Sequence, residues 1–330
     1  MPRLAPAALA LASLATAAAP AQAATHGDVV SVKPLASGLG VPGAAKNQLI
    51  TFKGKSVSGA LANQTGTISI PKGKPPKGGW PVFSWAHGTT GIADACAPSA
   101  AKLPKGEALL PKLLKAGYAV VRADYEGLGS AGEHPYLNGP SEGRSVLDIV
   151  RAARKTNRSI GKTLLMGGHS QGGHAALWAA KLAPSYAPEL KLKGTAVFAP
   201  ASHIGDQASL VRNLDTPAFS PIVGLILRGA DIAAPALGVE SLLSDAGKAA
   251  YPETLTNCIG NLTSWSTLAA NAILAPDANV QPLVDYLNAN DPEDLSIKTP
   301  VLVLQGTTDT TVLPIFTTQL LSKFKQNRVP

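Results

Sequence analysis

Charged side chains are scarce in this chain of 330 residues: Asp, Glu, Lys and Arg make up 15% of it, and aromatic residues only 5%. Hydrophobic residues reach 45%, a balance typical of a globular protein and not of a disordered one. The net charge of +8 comes from scattered Lys and Arg residues, without basic runs. Because no basic patch with interleaved aromatic residues occurs, we expect no nucleic-acid partner.

Long apolar runs are missing beyond the N-terminus. No later stretch approaches the ~20 uninterrupted apolar residues of a membrane-spanning helix, so we expect no transmembrane segment. The N-terminus has the pattern of an export signal: Arg3, an Ala- and Leu-rich run over residues 4–19, and the small-x-small sequence at residues 21–23. We expect residues 1–23 to be a signal peptide and the mature protein, from about Ala24, to be secreted (extracellular or in the cell envelope). A buried first helix is the alternative.

Cysteine is scarce as well. Cys96 and Cys258 are the only two, and their spacing matches no zinc-binding or redox motif. An exported chain meets oxidising conditions, which favour a disulfide between them. Two unrelated buried thiols are the alternative.

The order of β-rich and helix-like segments predicts an α/β fold. Short β-rich runs separated by turn residues fill positions 28–71 and predict an antiparallel start to a sheet. Strand-like and helix-like segments then alternate as far as residue 199, which predicts a mainly parallel sheet with helices on both faces. The alternation stops over 200–298, a stretch too long for an ordinary connection between parallel strands. We predict one core built from 24–199 and 299–330, with 200–298 as an inserted helical cap; core helices with a long loop are the alternative.

The clearest motif is Gly168-His169-Ser170-Gln171-Gly172. It follows the apolar run 163–166 and precedes a helix-like segment at 175–182. In this strand, turn and helix context, G-x-S-x-G places a serine on a sharp turn that exposes its hydroxyl. A serine hydroxyl is a weak nucleophile and needs both exposure and a base. We predict that Ser170 is a catalytic nucleophile.

A glycine-containing loop, His87-Gly88-Thr89-Thr90-Gly91, follows the strand candidate at 82–86. Enzymes with a serine elbow place one donor of their oxyanion hole in such a loop, and the other directly after the nucleophile. We therefore predict that the backbone N–H groups of Thr89 and Gln171 bind the oxyanion. A plain glycine turn is the alternative for the loop, where His87 is expected to provide a steadying hydrogen bond.

An acid partner is expected after the apolar run 301–305, where Asp309 stands. An Asx turn or a helix cap before Val312 is the alternative. The base is missing from its expected place, because such hydrolases use the chain order Ser, Asp, His. The six histidines stand at positions 26, 87, 134, 169, 174 and 203, and none follows Asp309. None of the six is a convincing substitute by its position.

Further segments accompany these motifs in order: 79–82, 96–99, 117–125, 148–153 and 300–309. Together they resemble the secretory lipase family of the α/β-hydrolases. The resemblance implies an α/β-hydrolase fold with an inserted helical cap, and lipase or esterase activity on acylglycerols or simpler esters. It implies no metal or organic cofactor; the partner would be a small ester or lipid, met through transient contact with a lipid interface.

The end of the sequence departs from that family. Its members continue past the helix expected at 315–325 into a last strand and a loop with the triad histidine, and this sequence stops at Pro330. The expectation is a missing last strand, an exposed sheet edge at 301–305 and impaired activity. The sequence would be a fragment, a shortened product or an inactive relative. A non-catalytic lipid- or ester-binding protein, and a peptidase or acyl transferase on the same fold, are the rival interpretations.

Overall fold

A computed structural model of the chain describes Met1 and residues 23–330. The predicted signal peptide, apart from its two end residues, lies outside the described residues. Within the described part, eight strands form one sheet: β1 (Val29–Pro34), β2 (Lys46–Lys55), β3 (Leu61–Ile70), β4 (Trp80–Ala86), β5 (Ala119–Ala123), β6 (Ile160–His169), β7 (Lys191–Phe198) and β8 (Val301–Leu304).

Helices separate most of the later strands. The α-helices of the described residues are α1 (Leu109–Lys115), α2 (Gly139–Thr156), α3 (Gln171–Tyr186), α4 (Ile204–Val211), α5 (Ser220–Ala233), α6 (Asp245–Ala250), α7 (Thr263–Thr267), α8 (Gln281–Ala289) and α9 (Pro314–Gln326).

The strands lie in the order β1-β2-β3-β5-β4-β6-β7-β8. Pairing is antiparallel from β1 through β3 to β5, and parallel from β5 through β4, β6 and β7 to β8. This order confirms the predicted antiparallel start and the mainly parallel remainder. Among the described residues, β8 lies at one end of the sheet, and Leu302 on it is 60% exposed.

Helices cover both faces of the sheet, as the alternation of β4 shows. Val82 and Ala86 pack into a cluster that contains the buried sides of α2 and α3. Phe83 and Trp85 point the other way, into a cluster with α1. Successive side chains of a strand face opposite sides, and burial on both faces is typical of central parallel strands. The predicted fold class is therefore confirmed.

Between β7 and β8 the chain forms the five helices α4 to α8 and several short 3-10 turns. These segments share a hydrophobic cluster around the fully buried side chains of Leu225, Tyr251 and Trp265. Most of the cluster lies within the range predicted as an inserted cap, and Ile92, Tyr136 and Leu137 join it from outside that range. The division of the chain into core and cap stays a prediction.

The predicted disulfide is present. Cys96, in the segment after β4, is bonded to Cys258, with 5.4 Å between the Cα atoms. A hydrogen bond from Ile259 N to Thr90 O, 2.9 Å, runs beside it. The bond therefore joins the loop after β4 to the helical segment between β7 and β8.

Among the described residues, no single helix is long and apolar enough to cross a membrane. One bent pair, α5 with the helical turns of Pro235–Leu242, would meet the criteria of length and composition at an angle of 112°.

Candidate active site

Ser170 lies between the end of β6 and the start of α3, with a φ of 56° and a ψ of −120°. A positive φ is strained for a residue with a side chain, so the surroundings must hold it. Three backbone hydrogen bonds do so: Ser170 N donates to Phe198 O at 3.0 Å, and Ser170 O accepts from His174 N at 3.1 Å and from Ala201 N at 3.2 Å. The result is the sharp strand-to-helix turn that the motif predicts, with the serine half-buried.

Two glycines allow the backbone segments to meet at this turn. A Cβ atom on Gly168 would lie 2.1 Å from the carbonyl oxygen of Gly172. One on Gly172 would lie 1.9 Å from the carbonyl oxygen of Ala86, at the end of β4. Both distances are far inside van der Waals contact. The spacing of the motif therefore follows from close packing around the serine.

The loop at 87–91 runs beside the serine. A Cβ atom on Gly88 would lie 3.9 Å from the Cβ atom of Ser170. The Thr89 hydroxyl is 2.7 Å from the hydroxyl of Tyr136. Among the described residues, the backbone N–H groups of Thr89 and Gln171 have no hydrogen-bond acceptor. Unpaired N–H groups beside a nucleophile are suited to binding an oxyanion, and the assignment of these two donors stays a prediction.

His87 supports the loop, as the sequence suggests. Burial lowers the pKa of His87 to about 3, so its ring is neutral. The ring donates from Nδ1 to the carbonyl oxygen of Gly88 at 2.8 Å. The Tyr125 hydroxyl donates to the carbonyl oxygen of His87 at 3.0 Å. On its other side, the loop is held by the hydrogen bond from Ile259 N to the carbonyl oxygen of Thr90, next to the disulfide.

Asp309 closes a turn after β8. Its Oδ1 accepts from Thr311 N at 2.9 Å and from Val312 N at 3.0 Å, and its Oδ2 accepts from Gln305 Nε2 at 3.3 Å. This Asx-type turn is the alternative that the sequence left open. Thr311 and Val312 line a cavity with Ser170, so the turn borders the candidate site. The role of Asp309 as a triad acid stays a prediction.

No histidine ring hydrogen-bonds with the Ser170 hydroxyl among the described residues. His169 is exposed and lines a cavity beside Ser170. The others have partners elsewhere: His26 contacts Asp148 on α2, His87 contacts Gly88, His134 and His174 lie around Glu142, and His203 contacts Asp206 and Glu293. The site as described thus holds a serine without a histidine base in contact.

Two cavities meet at Ser170. The first is apolar and is lined by α4, α5, α8 and the turn before α9, with side chains such as Ala208, Val223, Leu283 and Phe316. The second runs past the glycine loop towards residues 98–107, where Arg122 and Glu107 form a buried ion pair at 3.1 Å. The serine therefore borders two separate spaces of different polarity.

Sequence reasoning did not single out Glu142, which contacts the side chain of the residue after the serine. It is in the first turn of α2, is fully buried, and accepts a hydrogen bond from the side chain of Gln171 at 2.8 Å. An acidic residue at a helix start usually indicates a solvated cap or a favourable dipole contact. Nothing local in the sequence indicates its burial.

Among the described residues, no group of three or more His, Cys, Asp or Glu could hold a metal ion.

Comparison with known proteins identifies the family to which this chain belongs. A family model described as secretory lipase matches residues 103–323, about two thirds of the chain. The chain belongs to the secretory lipase family. Lipase A of Moesziomyces aphidis is 29% identical over 218 residues, covering 62% of this chain and 44% of that protein. Lipase 1 of Candida albicans is 43% identical over 88 residues, covering 26% of this chain and 18% of that protein.

One of the relatives carries a name that denies it lipase activity. A Mycobacterium tuberculosis protein named "probable inactive lipase" is 25% identical over 271 residues, covering 74% of this chain and 57% of that protein. The chain thus spans about half or less of the length of these relatives.

Solved structures of lipases and esterases share the fold. Candida antarctica lipase A superposes with a TM-score of 0.77 at 20% identity, covering 92% of this chain and 75% of that one. The rice cell wall degrading esterase of Xanthomonas oryzae gives a TM-score of 0.76 at 19% identity, covering 91% and 88%. These superpositions show an α/β-hydrolase fold for this member of the secretory lipase family.

Proposed function

We propose that this member of the secretory lipase family is an exported carboxylic ester hydrolase that works through Ser170 and an acyl-enzyme. The observation that carries the proposal is the strained Ser170 turn, which opens where two cavities meet and has two unpaired N–H groups beside it. A strained nucleophile next to preorganised donors is the arrangement that acyl transfer requires.

The reaction runs in two steps. Ser170 Oγ attacks the acyl carbonyl, and the negative charge on the carbonyl oxygen is stabilised by the N–H groups of Thr89 and Gln171. Collapse of this intermediate breaks the bond to the alcohol, which leaves with a proton, and water then releases the acid from the serine. Asp309 is the acid proposed to orient a histidine base.

Turnover by the 330-residue chain is proposed to be strongly impaired. The proton of the serine hydroxyl needs an acceptor, and no described histidine is in hydrogen-bond contact with that hydroxyl. General-base assistance contributes about 10²–10⁴-fold to such reactions, so we expect a loss of that order.

The cavities support an acylglycerol or a simpler ester as substrate. The apolar cavity suits an acyl chain, and its mouth carries the exposed side chains of Leu210 and Leu313 (50% and 37% exposed). Exposed apolar residues at the entrance of an apolar cavity favour transient contact with a lipid interface. The second cavity is assigned to the alcohol part of the ester.

A non-catalytic ester- or lipid-binding protein is the second candidate. It is favoured by the absence of a histidine in contact with Ser170 among the described residues. The name of the mycobacterial relative points the same way. Such a protein would use the apolar cavity without chemistry at the serine.

Hydrolysis of p-nitrophenyl butyrate, with and without free imidazole, tests these proposals. We expect slow release of p-nitrophenol that imidazole accelerates, because it supplies the missing base, and that Ser170→Ala abolishes. Ser185→Ala, an exposed serine on the same helix α3, is the matched control and should behave like the wild type. A serine-directed fluorophosphonate should label the wild type and Ser185→Ala only.

Two results would contradict the proposals. Turnover of about 10 s⁻¹ or more without imidazole, a common enzyme value, would refute the impairment. No Ser170-dependent release or labelling under any condition would refute the hydrolase and favour the binding protein, which fatty-acid titration would then test. Export is tested separately by N-terminal sequencing of the secreted protein, which should begin near Ala24.

A further inference from the structure

A buried polar network lies directly behind the first residue of α3. Its centre is Glu142 of α2, whose side chain is fully buried. Oε1 of Glu142 accepts from Leu137 N at 2.9 Å and from Gln171 Nε2 at 2.8 Å. Oε2 faces Nδ1 of His174 at 3.2 Å. The network therefore connects α2, α3 and the chain before α2.

The hydrogen positions at His134 and Gln171 follow from the acceptors around them. Nδ1 of His134 lies 2.9 Å from the carbonyl oxygen of Glu126, which can only accept, so Nδ1 carries the hydrogen. Burial lowers the pKa of His134, and its Nε2 keeps a lone pair. That lone pair faces the carboxamide nitrogen of Gln171 at 2.9 Å.

Both hydrogens of the Gln171 carboxamide nitrogen are thus used, one by Glu142 and one by His134. A flipped carboxamide would place its oxygen against two acceptors, which is unfavourable in a buried site. The side chain of Gln171 is consequently held in one orientation. Its backbone N–H is the donor assigned to the oxyanion.

His174 is the basic partner of Glu142 in the network. Nδ1 faces the carboxylate of Glu142, and Nε2 faces the carbonyl oxygen of Asn290 at 2.8 Å. Burial alone would lower the pKa of His174, but the hydrogen bond and the charge of Glu142 outweigh it and raise the pKa. Both ring nitrogens face acceptors, so the doubly protonated ring satisfies both contacts and pairs with Glu142. Breaking a buried pair by removing one member is costly.

We propose that Glu142 is a positioning residue for ester hydrolysis: it holds the Gln171 carboxamide, so that the Gln171 backbone N–H stays directed at the oxyanion. This inference rests on the proposed hydrolase function. A turn with a positive φ costs about 1–3 kcal/mol and persists only where its surroundings determine it. The network supplies that support on the α3 side of the serine.

Three variants test the inference by separating kcat from KM. Glu142→Leu removes both acceptors, Glu142→Gln keeps an acceptor for Gln171, and Gln171→Met removes the carboxamide at similar size. The matched control is Asp148→Asn, which alters another fully buried carboxylate of α2. Its partners, Lys55 N, Tyr186, Arg151 and His26, do not line the cavities at Ser170. Kinetics with p-nitrophenyl butyrate and imidazole, and labelling by fluorophosphonate, are measured below the melting temperature of each variant.

We expect Glu142→Leu and Gln171→Met to lower kcat about 10–100-fold with KM unchanged, less than the 10²–10³ for outright loss of an oxyanion donor. Glu142→Gln should keep most of the wild-type kcat. Asp148→Asn should lower the melting temperature and leave kcat near the wild type.

The inference is overturned if folded Glu142→Leu has wild-type kcat, or loses no more than Asp148→Asn. If Glu142→Leu does not fold, Gln171→Met decides: wild-type kcat overturns the inference, and a selective loss of kcat supports it. A wild-type chain without any Ser170-dependent reaction overturns the proposed function itself, and this inference with it.

Discussion

Replacing Gly172 by alanine should distort the turn that carries Ser170. The new Cβ atom would lie 1.9 Å from the carbonyl oxygen of Ala86, 2.5 Å from its carbonyl carbon and 2.6 Å from the carbonyl oxygen of His87. All three atoms are backbone, at the end of β4 and the start of the glycine loop. They cannot rotate away as a flexible side chain can, so α3 and the loop must separate.

Overpacking of this kind costs about 1–3 kcal/mol and occasionally more, and contacts this short place Gly172→Ala at about 3 kcal/mol. At about 2.1 cal/mol/K of unfolding entropy per residue, a chain of this size loses about 1.5 °C per kcal/mol, so we expect the melting temperature to fall by about 5 °C. The shift also moves the Thr89 loop relative to Ser170, and a displacement near 1 Å costs about 10²-fold in rate.

Circular dichroism on heating measures the first effect, and the rate of fluorophosphonate labelling at Ser170 measures the second. Gly260→Ala is the matched control, because a Cβ atom there meets no atom within 4 Å. It should stay within about 0.5 kcal/mol of the wild type. A Gly172→Ala protein with wild-type melting and labelling would refute the reasoning.

Three further predictions concern stability and association. Reduction of Cys96–Cys258, which are 162 residues apart, should cost about 5 kcal/mol by loop-closure entropy; an unchanged urea midpoint in dithiothreitol would contradict this. Burial lowers the pKa of His87 from 6.5 to about 3 in the folded chain. Between these two pH values the His87 ring is protonated in the unfolded chain and neutral in the folded one, so protons favour unfolding. Stability should therefore fall by about 2–3 kcal/mol from pH 7 to pH 4.5, measured by urea unfolding, and a His87→Gln variant that keeps the whole loss would exclude this cause. Pairing between exposed β8 strands of two chains should cause concentration-dependent association, and Leu302→Lys should reduce it in sedimentation velocity. The control Leu321→Lys, which alters a 40% exposed side chain of α9, should not reduce it. Equal association of the two variants would count against edge pairing.

The parts of the fold that were predictable from the sequence depend on local patterns. The turn at Ser170 follows from glycines whose spacing is set by backbone approach. The alternation of strands and helices follows from hydrophobic periodicity, and the disulfide follows from there being only two cysteines in a chain expected to be exported. Each of these signals lies within a few residues or depends on composition alone.

Other parts depend on packing between distant segments. The burial of Glu142 requires α2, α3, the chain around Leu137 and the chain around Asn290 to meet, and no short pattern encodes that meeting. The position of β5 between β3 and β4 is likewise decided by how whole segments cover the sheet. Asp309 illustrates a third case, because the same Asp is compatible with a triad acid and with the Asx turn that it closes.

The meeting of two cavities at one serine has a consequence for how specificity changes over evolution. Among the described residues that line the two cavities, only Ser170, Ile222 and Thr311 border both. If the two cavities hold the acid and alcohol parts of an ester as proposed, substitutions elsewhere in either wall would act on one part of the substrate without disturbing the other. In the proposed hydrolase, preference for the acid and preference for the alcohol can then diverge separately among descendants, and Ile222 of α5 is a position where a single substitution would change both at once.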